Sequence, residues 1–121
     1  MFNQIIPIPR VLQPQSRVYE LKARLDWGEP ALTIIDVRDR DIFNKSHIVG
    51  AISLPDAELV KRATQSLSLD RDIYIYSDSD EESATAATNL RTAGFKKVSQ
   101  LRGGLAAWKA FGYPVEPDGL G

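Results

Sequence analysis

The sequence predicts a single α/β domain built on a mainly parallel sheet of about five strands, with helices on both faces. Its 121 residues fit one domain. Apolar residues make up 43% of the chain and charged residues 26%, which is the composition of a globular protein with a sizeable core. Short apolar runs alternate with segments of helical spacing, and this alternation is typical of β–α–β units around a parallel sheet.

Charge and composition exclude several classes of function. The net charge of −1 gives no nucleic-acid-binding signature, and no apolar run approaches the ~20 residues that span a bilayer. The chain has no cysteine and only one histidine, His47, which excludes thiolate catalysis, cysteine-based metal centres and multi-histidine metal sites. We expect no cofactor, no resident metal, no nucleic acid and no membrane as partners, and a cytoplasmic location. The oligomeric state stays open.

Residues 16–116 are predicted to form the domain, between an N-terminal lead-in over residues 1–15 and a flexible tail over residues 117–121. The lead-in is apolar but is interrupted by Pro7 and Pro9, and it lacks the basic start of a signal peptide.

Helices are predicted where apolar residues recur every three or four positions, and strands where short apolar runs end at turn residues. Ser16 is the predicted N-cap of the first helix, and Ser83 that of the helix after a polar loop. The predicted helices cover residues 17–27, 39–44, 57–65, 83–93 and 105–110, and the predicted strands residues 32–35, 51–54, 73–76 and 98–101.

Individual side chains in these elements carry further expectations. Trp27, Val60 and Trp108 are predicted to pack on helix faces, and Phe43 to turn inward from its short helix. Gly94 is expected just past a helix end. Asp36 and Arg38 are expected to form a structural charge pair, and His47 to be a turn residue bonded to the backbone. The basic residues Arg91, Lys96, Lys97 and Arg102 are expected to be solvated charge.

The most informative position is the junction after the strand that ends at Tyr76. Ligands bind outside the carboxyl ends of strands in open α/β sheets, and a capped helix start presents free backbone N–H groups to an anion. Here, however, four carboxylates fall among the six positions from Ser77 to Glu82. The candidate site is therefore this acidic loop, with binding residues Ser77, Asp78, Asp80, Glu81 and Glu82, and with Ser79 and Ser83 completing the loop.

Four motifs in order resemble the rhodanese-like family from about Tyr19 to Glu116. The first resembles Asp-Val-Arg after a strand, and the second resembles Phe-x-x-Gly-His-Ile-Pro-Gly-Ala-Ile, with Ser46 and Val49 departing from the usual Gly and Pro. The third resembles Leu-x-Gly-Gly-x-x-x-Trp, and the fourth closes the domain. In this chain the four motifs stand at residues 36–38, 43–52, 101–108 and 112–115. The resemblance implies the three-layer fold of that family.

The family's active loop, Cys-x-x-Gly-x-Arg-Ser, falls on this candidate site. Ser77 stands where the catalytic Cys would be, Asp80 where the Gly would be and Glu82 where the Arg would be, and only Ser83 agrees. Rhodanese-type transfer needs a thiolate that carries sulfane sulfur as a persulfide, and a serine hydroxyl cannot hold one. The resemblance thus implies a domain with no catalytic residues, which is not an enzyme.

Several roles of the acidic loop stay open. It can be a solvated loop whose carboxylates compensate the helix dipole. It can be a docking surface for a protein partner with a basic surface, in an interaction or regulatory module. Alternatively it can bind a divalent cation through Asp78, Asp80 and Glu81 or Glu82, or serve a non-sulfur enzyme with Ser77 as nucleophile. If the loop still forms a cradle of N–H groups, one of its own carboxylates can fold into the anion site.

Overall fold

The computed structural model describes residues 12–28 and 31–117, and it confirms the predicted α/β architecture. The strands are β1 (Gln15–Ser16), β2 (Leu32–Asp36), β3 (His47–Ile48), β4 (Ile52–Ser53), β5 (Asp72–Tyr76), β6 (Val98–Leu101) and β7 (Val115–Glu116). The helices are α1 (Val18–Asp26), α2 (Arg40–Lys45), α3 (Leu59–Ser66), α4 (Asp80–Thr92) and α5 (Gly104–Ala110), and a 3-10 turn covers Asp56–Glu58.

The central sheet has five strands in the order β1-β6-β5-β2-β4, and all neighbouring pairs are parallel. Because the strands are parallel, the segments that follow Tyr76, Leu101, Ser16 and Asp36 all emerge at one edge of the sheet. A separate antiparallel pair joins β3 to β7. The sequence did not predict this pair, since two residues are too few to show a period of two.

Two apolar clusters cover the two faces of the sheet and produce its three layers. Successive side chains of a strand point to opposite faces. Ile73 and Ile75 accordingly pack with α3 and α4, while Tyr74 and Tyr76 pack with α1 and α5. Trp108, fully buried in the second cluster as predicted, donates a 2.7 Å hydrogen bond from Nε1 to the Pro114 carbonyl. Phe43 packs against the same cluster, also as predicted.

Three side-chain predictions were wrong. Trp27 is 84% exposed because α1 ends before it at Asp26. Val60 is also exposed, and Ala63 takes the buried position on α3. Ser16 is not the cap of α1, because it belongs to β1 and its hydroxyl bonds to that of Ser99; the N-cap position is taken by Arg17.

Gly94 does lie just past the end of α4 with a φ of +107°, as expected. Most of the lead-in and the last four residues of the tail lie outside the described residues. Gln15, at the end of the predicted lead-in, forms part of β1. Among the described residues, none of the helices combines the length and the apolar character needed to cross a bilayer.

Candidate functional site

The segment after β5 is mostly the first turn of a helix, not an irregular loop. Asp78 and Ser79 follow Ser77, and α4 already begins at Asp80. Ser79 is the N-cap, because its hydroxyl oxygen accepts a 3.1 Å hydrogen bond from the Glu82 amide. The prediction that Ser83 caps this helix was wrong. Ser79 and Glu82 have the spacing of a capping box, Ser-x-x-Glu, which was the available signal for the true helix start.

Ser83 is inside the fold and cannot be reached by a ligand at the surface. It is fully buried, and its hydroxyl donates to the Asp80 carbonyl over 3.1 Å. Gln100 on β6 donates from Nε2 to the same hydroxyl oxygen over 3.0 Å. The hydrogen bond between Ser83 and Gln100 therefore joins α4 to β6, and the Ser83 hydroxyl is not accessible to a ligand.

Ser77 lies at the carboxyl end of β5 and is 8% exposed. Its hydroxyl donates a 3.2 Å hydrogen bond to Oε1 of Glu82. A carboxylate of the loop thus folds back onto the position that the family resemblance gives to the nucleophile.

No histidine is available to activate Ser77 in the described residues. His47 lies on β3, where its Nδ1 is 2.7 Å from the Phe43 carbonyl and its Nε2 is 3.5 Å from Oε1 of Glu116. Its ring stacks on Phe43 at a centroid distance of 3.6 Å. The contact of Nδ1 confirms the backbone bond predicted for His47, but the residue lies in a strand of the β3–β7 pair and not in the predicted turn.

Asp80 is bound by the start of α5. Its Oδ1 accepts a 2.8 Å hydrogen bond from the Gly103 amide, and its Oδ2 accepts one of 2.8 Å from Nε of Arg102. Partial burial acts to raise the pKa of Asp80, but the two hydrogen bonds and the charge of Arg102 outweigh it and hold that pKa below its usual value. The prediction that Arg102 is only a solvated charge was therefore wrong, because Arg102 forms an ion pair with Asp80.

Asp78 is linked to a buried ion pair beneath the loop. Nε and Nη2 of Arg38 donate to the Asp36 carboxylate over 2.7–3.1 Å, which confirms the predicted charge pair. Nη1 of Arg38 lies 3.7 Å from Oδ1 of Asp78. Burial acts to lower the pKa of Arg38, but the hydrogen bond and charge of Asp36, with the charge of Asp78, outweigh it and raise that pKa. Arg38 stays cationic and keeps Asp78 close.

Tyr76 and Gly104 hold the loop from below. The hydroxyl oxygen of Tyr76 accepts a 3.0 Å hydrogen bond from the Ile48 amide, and burial, followed by the charge of Asp36, raises the pKa of Tyr76. Gly104 has a φ of +52°, and a Cβ added there would lie 2.7 Å from the Ser77 carbonyl oxygen. Only glycine allows α5 to start this close to the loop.

Three of the four carboxylates therefore point to different partners: Asp78 to Arg38, Asp80 to Arg102 and Gly103, and Glu82 to Ser77. Glu81 is exposed to solvent. Across residues 12–28 and 31–117, no three acidic or histidine side chains come together as they would around a metal ion. The alternative of a divalent-cation site in this loop is thus not supported.

The fold and the site define an α/β domain with a strand–loop–helix site at the carboxyl edge of a parallel sheet. A family model described as the rhodanese-like domain matches residues 17–111. The chain belongs to the rhodanese-like domain family, as its motifs indicated.

Solved structures agree with this assignment. The crystal structure of the Alr3790 protein from Anabaena is 55% identical to this chain, with a TM-score of 0.82 over 84% of this chain and 90% of that one. A thiosulfate sulfurtransferase from Pseudomonas aeruginosa is 28% identical, with a TM-score of 0.76 over 85% of this chain and 20% of that one.

Curated relatives include YrkF of Bacillus subtilis, which is 35% identical over 95 residues, and the thiosulfate sulfurtransferase GlpE of Coxiella burnetii, which is 33% identical over 79 residues. The match to YrkF covers 78% of this chain and 50% of YrkF, and that to GlpE covers 65% and 73%. The chain therefore spans only half the length of YrkF.

Proposed function

We propose that this chain is a catalytically inactive rhodanese-like domain, which acts in the cytoplasm as a protein-interaction or regulatory module through the loop from Ser77 to Glu82. The observation that carries the proposal is the contact between Ser77 and Glu82, in a chain without cysteine. The nucleophile position holds a hydroxyl, and that hydroxyl is bound to a carboxylate at the position expected to be cationic.

The chemistry of the site supports the loss of sulfur transfer. A thiol has a pKa near 8.5 and forms a thiolate readily, whereas a serine hydroxyl needs an adjacent base to attack and cannot carry a persulfide. Glu82 also places a negative charge where an anionic sulfur donor would have to approach Ser77. Loss of the sulfur atom removes the reaction, and the carboxylate additionally weakens binding of the substrate.

The first experiment measures thiosulfate:cyanide sulfur transfer by the purified chain, with an active thiosulfate sulfurtransferase run in parallel. We expect the chain to transfer sulfur no faster than the uncatalysed reaction. Mass spectrometry should detect no persulfide on the protein. Turnover above that rate would contradict the proposal. Labelling of Ser77 by a fluorophosphonate probe would instead favour a serine enzyme.

The docking surface is expected to centre on Asp78 and Glu81. The Asp78 side chain is 62% exposed and only approaches Arg38, at 3.7 Å, and Glu81 is exposed, whereas the carboxylates of Asp80 and Glu82 accept hydrogen bonds within the chain. A partner with a basic surface would meet these two carboxylates first. This narrows the four acidic candidates of the sequence to two.

Partner capture by Asp78→Asn/Glu81→Gln tests this surface. A matched control is Asp26→Asn/Asp70→Asn, which removes the same charge from exposed positions before β2 and β5, at the opposite edge of the sheet. Mass spectrometry identifies the captured proteins. We expect the native chain and the Asp26→Asn/Asp70→Asn control to capture the same proteins, and Asp78→Asn/Glu81→Gln to capture them no longer. Equal capture by both variants would contradict the docking surface.

A further inference from the structure

We propose that a groove beside the loop binds a small organic anion through Arg17 and Arg102, and that Asp80 occupies part of this site as an internal competitor. The ligand class is a polar molecule that carries a phosphate or carboxylate group. The groove has a volume of about 460 Å³, within the ~300–1,000 Å³ typical of small-molecule sites. We call it the arginine groove, and the polar residues that line it include Gln15, Arg17, Glu20, Asp80, Arg102 and Gly103.

The sheet register brings the two arginines together. Ser16 on β1 is paired with Leu101 on β6, and the Arg102 amide donates a 2.8 Å hydrogen bond to the Ser16 carbonyl. Arg17 and Arg102 are thus the next residues of two neighbouring parallel strands at their carboxyl ends. This is the edge at which open α/β sheets bind ligands. The sequence alone could not show this placement, because the two arginines are far apart along the chain.

The wall of the groove already binds a carboxylate. Asp80 receives hydrogen bonds from the Gly103 amide and from Nε of Arg102, which is the way a protein holds an external carboxylate or phosphate. A guanidinium has five N–H donors and keeps its charge at all ordinary pH values. Arg102 uses Nε on Asp80 and Nη1 on Oε1 of Gln15, so a further nitrogen remains to bind the ligand.

The remaining lining favours an organic anion over a bare ion. Arg17 is exposed and supplies a second guanidinium. Glu20 uses Oε1 to accept a 2.7 Å hydrogen bond from the Arg17 amide, and with Gln15 it offers oxygen acceptors to hydroxyl or amino groups on the body of a ligand. Two cations beside two carboxylates match a ligand with both an anionic end and hydrogen-bond donors.

Asp80 connects the groove to the loop. It is the first residue of α4 and follows directly after Ser79. An anion that displaces Asp80 from Arg102 and Gly103 would release the contact between α4 and the start of α5. Binding in the arginine groove would therefore loosen the loop from Ser77 to Glu82. Anion binding in the arginine groove requires neither sulfur chemistry nor a protein partner.

The test is an NMR titration of the full chain with inorganic phosphate and, separately, with acetate at matched ionic strength. We expect saturable shifts of the Arg17 and Gly103 amide signals with at least one of the two anions. The anion that binds more tightly indicates whether the natural ligand carries a phosphate or a carboxylate. Asp80→Asn should bind about tenfold more tightly, because a charge-assisted hydrogen bond no longer has to be displaced. Glu81→Gln is the matched control, since it removes the same charge one residue away, and it should leave the affinity unchanged.

Arg102→Gln should abolish the shifts, and Arg17→Gln should weaken binding about fivefold or more. Arg17 is exposed, so its variant tests the site even if Arg102→Gln proves unstable. The proposal is overturned if neither anion produces saturable shifts. It is also overturned if Asp80→Asn and Glu81→Gln tighten binding equally, since that result would show only the net charge of the chain.

Discussion

The Ser77 hydroxyl donates a hydrogen bond to the Glu82 carboxylate over 3.2 Å, across the start of α4. This contact joins the position of the family's nucleophile to the position of its cation. In an active loop, a cation at the second position would stabilise a thiolate at the first. In this chain the carboxylate of Glu82 replaces the cation, and it accepts a hydrogen bond from the Ser77 hydroxyl. The two substitutions therefore fit each other, and reversing one alone leaves a mismatched pair.

Ser77→Cys alone should yield little or no sulfurtransferase activity. The thiol would lie beside Glu82, and a neighbouring carboxylate disfavours the thiolate and raises the pKa of the thiol. Adding Asp80→Gly and Glu82→Arg should lower that pKa by about one unit or more and raise turnover about tenfold over Ser77→Cys. The pH dependence of thiolate absorbance and the thiosulfate:cyanide assay measure the two effects.

The matched control for that series is Ser77→Cys/Glu81→Arg. It makes the same change of charge at the exposed neighbour of Glu82, which does not contact Ser77. We expect this variant to behave like Ser77→Cys. If it equals the triple variant, the overall field of the loop controls the thiol and the Ser77–Glu82 contact does not.

The fold and the position of the site could be predicted from local patterns. The run from Ile73 to Tyr76 indicated the central strand, and the motifs around Asp36 and Gly103 indicated the family. The partners of the loop carboxylates could not be predicted in this way. Asp80 is paired with Arg102 and Asp78 with Arg38, and these contacts arise only when separate strands end at the same edge of the sheet. Sequence spacing contains no information on such contacts.

Asp80 should contribute stability that is lost in acid. Its pKa is lowered in the folded chain, so its contribution is present above the unfolded pKa of about 3.9 and disappears as the pH falls through the folded value. Asp80→Asn should lower the free energy of unfolding at pH 7 by at most about 1 kcal/mol, since the side chains of Asp80 and Arg102 are 38% and 49% exposed and solvent screens their attraction. Urea denaturation at pH 7 and below pH 4 should show this difference shrinking in acid. A difference that grows in acid would contradict it.

Arg38→Met should destabilise the chain strongly. It would leave the Asp36 carboxylate, which is fully buried, without its cation, and breaking a buried pair in this way costs about 3–5 kcal/mol. Arg40→Met is the matched control, because Arg40 is 46% exposed and lies 4.0 Å from Glu58; its loss should cost less than about 1 kcal/mol. Thermal and chemical denaturation compare the two. Similar losses in both variants would mean that the Asp36–Arg38 pair is not a central support of the loop.

Gly104→Ala should destabilise the chain and move the loop at Ser77. A Cβ at residue 104 would lie 2.7 Å from the Ser77 carbonyl oxygen, closer than two such atoms can approach, so the loop or the start of α5 must shift. Gly50→Ala separates this clash from backbone strain, because Gly50 has a φ of +82° but nothing within 4 Å of the added Cβ. We expect a loss of about 1 kcal/mol for Gly50→Ala and about 2–4 kcal/mol for Gly104→Ala.

The NMR signals of the loop provide a second measurement that compares Gly104→Ala with Gly50→Ala. Since α5 starts against the Ser77 carbonyl, the amide signals of Ser77, Asp78 and Ser79 should shift in Gly104→Ala and stay in place in Gly50→Ala. Equal stability losses with an unmoved loop would show that the start of α5 does not constrain it. The shape of the loop would then have to depend on the contacts of its own side chains, those of Ser77 with Glu82 and of Asp80 with Gly103.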